Sequence, residues 1–144
     1  MRGRGKSWAR GDATRNKKGE FAMGVIDREN VPITIQGDGV ELRTAEVGEM
    51  TVAFVKLRAG TDLSPAVKGL PGDLCPCPHW GYMVKGRVMM KTKDGEQVYE
   101  AGQPFYWSPG HAPMALEDSE YVDFSPTEGL KAVLDHVNRQ AAAS

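Results

Sequence analysis

From Val31 onward, apolar and polar residues alternate in short runs cut off by turn residues, the pattern of a chain built from strands. Residues 32–36 alternate Ile33 and Ile35 with polar neighbours, Gly37-Asp38-Gly39 turns the chain, and residues 40–47 extend again. Residues 49–58 set Val52 and Phe54 on one face and Ala53, Val55 and Leu57 on the other. A strand apolar on both faces lies between two layers or in a barrel wall. Residues 80–93 form the longest run, with Tyr82, Val84, Val88 and Met90 on one face and Lys85, Arg87 and Lys91 opposite. Asp94-Gly95 supplies a tight hairpin turn and residues 97–101 return. Residues 103–107, 113–116 and 121–124 complete the predicted strands.

The period then changes. In Ser125-Pro126-Thr127-Glu128, Ser stands at a helix N-cap, Pro at the first helical position and Glu three after the cap. Leu130, Val133, Leu134 and Val137 follow at helical spacing and predict one C-terminal helix over 127–144. Its apolar stripe must lie on the strands or on a second subunit. The predicted architecture is all-β, a small antiparallel barrel over 21–126 closed by that helix.

Composition sharpens this picture at three points. At 144 residues the chain has room for one domain, and its 17 glycines and 9 prolines suit many short strands. The net charge of −1 argues against a dedicated nucleic-acid binder. It is also a sum of unlike parts: residues 1–20 hold Arg2, Arg4, Lys6, Arg10, Arg15, Lys17 and Lys18 with little to fold around, and read as a basic flexible arm on an acidic body. No apolar run reaches the roughly 20 residues of a membrane span. Two cysteines do not make a disulfide scaffold, so the expected setting is the reducing cytoplasm.

Two windows carry chemistry. In Leu74-Cys75-Pro76-Cys77-Pro78-His79, both prolines favour extended backbone, and alternate side chains of an extended segment share a face. Cys75, Cys77 and His79 are thereby expected to converge as donors for a soft or borderline metal. In residues 102–113 an aromatic strand containing Tyr106 and Trp107 runs into Pro109-Gly110, and His111 follows at the mouth of the fold. Parity adds a condition: His79 and Val84 cannot both point inward unless the strand bulges, and Gly81 is the natural place.

The layout of these windows resembles the cupin superfamily, small antiparallel barrels whose two motifs flank a metal site in the lumen. His79 lies seven residues before Gly86, where the first motif has an acid before its glycine. Gly102, the strand over 103–107, Pro109-Gly110 and His111 resemble the second motif. The stretch Cys77-Pro78-His79-Trp80-Gly81-Tyr82 is similar to a bacterial subgroup of single-domain cupins. The usual His-x-His pair is missing, so the ligand set departs from the family pattern.

The expected function is a metal-dependent enzyme acting on a small organic substrate. One divalent transition metal, zinc or iron, sits on His79, His111, Cys77 and Cys75. Trp80, Tyr106 and Trp107 line the substrate pocket, and Tyr82 donates a proton beside the catalytic His79 and His111. The alternative is a non-catalytic module that binds a small molecule. A homodimer is expected, paired through the helix stripe and the strand over 49–58, with no membrane and no nucleic acid as partner.

Overall fold

The computed structural model describes residues 23–143, and the arm expected over 1–20 lies outside the described residues. The strands are β1 (Ile33–Gly37), β2 (Val40–Val47), β3 (Met50–Leu57), β4 (His79–Lys85), β5 (Arg87–Thr92), β6 (Gly95–Glu100), β7 (Pro104–Trp107), β8 (Ala112–Ala115) and β9 (Ser119–Pro126). The helix α1 (Thr127–Ala143) follows directly on β9. Six strands form one antiparallel sheet in the order β1-β2-β3-β9-β4-β7, and three form a second in the order β6-β5-β8.

The two sheets face each other across the core. Ala53, Val55 and Leu57 of β3, Met83 of β4, Phe105 and Trp107 of β7 and Tyr121 of β9 meet Val88 and Met90 of β5 and Ala115 of β8. The sheets are held by this packing, with no ladder joining them among the described residues, so the expected barrel is a two-layer jelly-roll sandwich.

The run over 80–93 is two strands, broken at Gly86. Its φ of +82° belongs to glycine, and a Cβ there would collide with the Asp118 carbonyl and the Ser119 side chain. The break also reverses parity. Val88 and Met90 point inward, whereas Tyr82 and Val84 point outward and are exposed. Gly81 needs no bulge: His79, Gly81 and Met83 share the inner face, and Gly81 lies so close to Phe105, the Val122 carbonyl and Asp123 that no side chain fits.

At the C-terminus, Ser125 is the last inward residue of β9 rather than a helix cap. Its side chain is fully buried and turned into the sandwich, so helix α1 starts at Thr127, whose N–H donates to the Glu49 carbonyl. The apolar stripe of α1 is spent within the chain. Leu130 and Val133 pack on Val67, Cys75, Cys77 and Ala112. On the outer face of the large sheet, Ile26 and Val31 cover Ala45 and Val52. Part of each surface expected to pair subunits is therefore covered by the chain itself, while Leu134, Val137 and Phe54 are only partly buried. No helix among the described residues is long and apolar enough to cross a membrane.

Candidate metal centre

Two segments without a common strand meet at one end of the sandwich. The stretch leading into β4 forms an isolated antiparallel bridge with the residue that leads into β8: the Cys75 N–H donates to the His111 carbonyl at 2.8 Å, and the Gly110 N–H to the Cys75 carbonyl at 2.7 Å. The bridge sets the Cys75 and His111 side chains beside each other. Pro78 then feeds β4, whose first residue, His79, lies opposite Trp107 of β7. The imidazoles of His79 and His111 end with centroids 4.8 Å apart. Cys75 Sγ stands 3.8 Å from His79 Nε2. One donor atom from each of Cys75, His79 and His111 lies within 4.8 Å of the others, and all three residues are buried.

A hydrogen bond fixes the His111 tautomer, and another favours one tautomer of His79. His111 Nδ1 lies 2.7 Å from the Ser108 carbonyl, which can only accept, so Nδ1 carries the proton and Nε2 keeps its lone pair. His79 Nδ1 lies 2.6 Å from Ser125 Oγ. Ser125 Oγ also lies 3.5 Å from Asp123 Oδ1, and a hydroxyl hydrogen directed there leaves its oxygen to accept from His79 Nδ1. His79 Nε2 is thereby also a free lone pair, aimed at Cys75. A carboxylate acting through a hydroxyl on one imidazole, and a carbonyl on the other, is the supporting arrangement that metal-binding histidines use.

Burial keeps the three donors, two imidazoles and a thiol, in their neutral forms at neutral pH. Burial, reinforced by the neighbouring His111, holds His79 down to about 3, and burial lowers His111 as well. Burial pushes the Cys75 thiol up to about 11, with Asp123 adding to the rise. Burial likewise lifts Asp123 to about 7, against the pull of the Ser125 hydroxyl. Neutral imidazoles are the form a metal requires, and the thiol must release its proton to join them.

The structure separates residues that the sequence pattern grouped. Cys77 stands outside the three-donor cluster. Its thiol donates to the Pro78 carbonyl at 3.6 Å and packs under α1, 3.4 Å from where a Gly129 Cβ would stand. Strict alternation fails because the backbone between Cys75 and Cys77 is not a strand. Trp80, Tyr82 and Tyr106 lie on the outer face of the large sheet, away from the histidines, because they alternate with the inward His79, Gly81, Phe105 and Trp107. Trp107 does lie beside the two histidines. It is buried, stacked on Phe105 at 3.7 Å, with its ring centroid 6.3 Å from that of His79 and 6.0 Å from that of His111.

Sequence reasoning missed Asp123 and Ser125. Their signal was a polar residue at every second position of β9, interleaved with Val122 and Phe124, a pattern that by itself reads as a solvent-facing strand. At the other end of the same strands, an open cleft of about 500 Å³ is lined by Asp38, Lys56, Arg58, Lys85 and Glu120 among others. It contains none of the three donors.

No protein-family model and no curated protein matches this chain. Solved structures do. An RmlC-like cupin from Shewanella frigidimarina is 16% identical with a TM-score of 0.55, over 74% of this chain and 93% of its own. KdgF from Halomonas sp. is 18% identical with a TM-score of 0.54, over 72% of this chain and 94% of its own. Oxalate decarboxylase from Bacillus subtilis, studied for its Mn(II) centres, is 16% identical with a TM-score of 0.53, over 72% of this chain and 30% of its own. The fold is that of the cupins. Within it, this chain carries a buried Cys–His–His cluster able to hold a metal ion.

Proposed function

We propose that the protein is a metal-dependent enzyme acting on a small organic substrate, with Cys75, His79 and His111 holding one divalent transition metal, zinc or iron. The observation that carries this reading is the convergence of three buried donors whose histidines each already have the second nitrogen engaged. The fit can be tested on distance. Two ligands of one tetrahedral zinc stand roughly 3.5 Å apart, given bonds of about 2.0–2.3 Å; Cys75 Sγ and His79 Nε2 are 3.8 Å apart, and the widest separation in the cluster, 4.8 Å, must close by about 1 Å around one ion. One thiolate with two imidazoles is also a donor set suited to zinc or iron. Oxalate decarboxylase, on a similar fold, has Mn(II) centres, which supports the reading of this chain as a metal-binding one.

Once bound, such an ion supplies Lewis acidity toward a carbonyl or a bound water. The chain's own residues supply the rest. Asp123, through Ser125, orients His79, and Ser108 orients His111. Phe105, Trp107 and Tyr121 wall the site with apolar surface that excludes water and strengthens every charge interaction inside it. Trp107 is the proposed substrate contact, the one aromatic of the three expected that faces the histidines. Its Nε1–H is buried without a hydrogen-bond partner, a state that costs roughly 1–3 kcal/mol and leaves one donor uncommitted next to the site.

A second reading is favoured by one observation, the near-complete burial of the three donors. Closed sites are typical of structural metals. In that reading the protein is a binding module with no turnover. Two measurements separate the readings. Elemental analysis of protein purified without a nickel column is expected to give one metal per chain, lost in His111→Ala. Visible spectra of the cobalt-loaded protein are expected to shift when azide or cyanide is added, because a catalytic site keeps an open position. A spectrum indifferent to added ligand assigns the metal to a structural role in a non-catalytic small-molecule-binding module, and absence of stoichiometric metal removes the metal-dependent enzyme.

A further inference from the structure

Of the three donors, Cys75 lies farthest from a strand. His79 opens β4, which is laddered to β7 and β9, and His111 immediately precedes β8. Cys75 comes near the end of the long connection from β3, after 3-10 turns at Pro65–Val67 and Pro71–Asp73. The last part of that connection has little slack. The Leu70 N–H donates to the Val67 carbonyl at 3.1 Å, the Asp73 N–H to the Leu70 carbonyl at 2.7 Å, and the Gly69 N–H to Asp73 Oδ1 at 2.9 Å. Pro71 and Pro76 fix two further backbone angles. A displacement at Lys68 is therefore passed along these turns to Cys75.

Helix α1 holds Lys68. The Lys68 carbonyl accepts from His136 Nε2 at 2.7 Å and from Gln140 Nε2 at 2.5 Å. The two donors stand one helical turn apart on the same face of α1. A carbonyl can only accept, so His136 carries a proton on Nε2. The next residue, Gly69, has a φ of +97°, and a Cβ there would stand 3.0 Å from His136 Cε1. Glycine at 69 thus supplies both the turn and the room for the imidazole.

We infer, on the reading of Cys75, His79 and His111 as metal ligands, that His136 and Gln140 are positioning residues of the metal centre. By holding the Lys68 carbonyl they set the turns that present Cys75 to the two histidines. Packing alone does not do this. Leu130 and Val133 of α1 press on Val67, Cys75 and Cys77, but apolar contact has no preferred direction. Two hydrogen bonds converging on one carbonyl fix both a direction and a distance. The donors also need such control. They spread over 4.8 Å and must draw together around an ion, and β4 is held by ladders on both edges, so the movement falls on the Cys75 side. The coupling runs both ways, because linked equilibria bias each other equally. An ion that fixes Cys75 also holds Lys68, and through it the C-terminal part of α1.

The test is cobalt binding to the full chain, read from its own absorption and from competition with a chelator, together with hydrogen exchange of the metal-free and zinc-loaded protein. The wild type is expected to bind one cobalt with a sulfur-to-cobalt charge-transfer band. His136→Ala with Gln140→Ala is expected to bind it about fivefold more weakly or worse, the lower end for coupled sites, with an altered band. Alanine favours a helix, so α1 itself is not put at risk. His136→Gln keeps an N–H donor and is expected to stay near the wild-type affinity. Zinc is expected to slow exchange over residues 68–75 and 136–143 in the wild type, and over 68–75 alone in the double variant. A double variant with unchanged affinity and band overturns the role of His136 and Gln140 and leaves the metal reading standing. So does one that loses only metal-free stability, the mark of a purely structural contact, and so does exchange in α1 that ignores zinc in the wild type. A wild type that binds no stoichiometric cobalt overturns the metal reading and this role with it.

Discussion

Ser125 Oγ lies 2.6 Å from His79 Nδ1, although the two residues are 46 positions apart and belong to neighbouring strands of one sheet. The register of β4 on β9 makes the contact: Trp80 pairs with Phe124, so the residues next to them, His79 and Ser125, meet on the inner face. The contact decides which nitrogen of His79 is free. Replacing Ser125 by alanine removes the acceptor and lets the ring turn or change tautomer. Ser125→Ala is therefore expected to lower metal affinity by about 10–100-fold, the usual loss for a supporting partner. Competition with a chromophoric chelator measures it, and an unchanged affinity would remove Ser125 and Asp123 from the site.

Metal binding should also release a proton from sulfur rather than from imidazole. Burial holds the Cys75 thiol up at about 11 and His79 down at about 3. Above neutral pH the histidines are already neutral and the thiol is still protonated. Each bound ion then displaces one proton, and apparent affinity rises about tenfold per pH unit over about pH 8–9.5. Cys75→Ser is expected to bind weakly with a flat pH profile. A slope near zero in the wild type would show that sulfur takes no part.

The buried carboxyl leaves its own mark on stability. Burial lifts Asp123 to about 7 in the folded chain, against roughly 3.9 when unfolded. Between those values the native state holds a proton that the unfolded state has lost. Stability from this group is thus fully present below about pH 4 and declines as pH rises toward about 7. His79 and His111 act in the opposite sense: their folded values are depressed, so their contribution is present above about 6.5 and lost as pH falls toward the folded value. Comparing urea midpoints of metal-free wild type and Asp123→Asn isolates the carboxyl. The difference should grow in favour of the variant from about pH 4 to about pH 7. Parallel profiles would place Asp123 in contact with water.

The strands were legible because apolar alternation and turn residues mark them wherever one face is buried. Gly37-Asp38-Gly39 and Asp94-Gly95 separate β1 from β2 and β5 from β6. What alternation cannot show is a reversal of parity, and Gly86 is one. It joins two runs with the same apparent period, so Tyr82 and Val84 were grouped with Val88 and Met90, although the first pair faces outward from the large sheet and the second faces the core from the small one. His79 and His111 were visible as isolated histidines in resembling motifs, and Cys75 as an extended neighbour. Cys77 was indistinguishable from Cys75 by spacing. The backbone bridge from Cys75 to His111, absent at Cys77, makes the difference, and such a long-range pairing has no local signature. Asp123 and Ser125 were hidden for the same reason: polar residues on a strand announce solvent unless the partner across the sheet is known.

The account rests on three donors sharing one ion, and X-ray absorption of the zinc-loaded protein tests this most directly. The expected first shell has one sulfur at about 2.3 Å with nitrogen or oxygen neighbours at about 2.0–2.1 Å. That sulfur should persist in Cys77→Ser and vanish in Cys75→Ser. Two sulfurs in the wild type, or a shell without sulfur, would contradict the Cys75–His79–His111 centre.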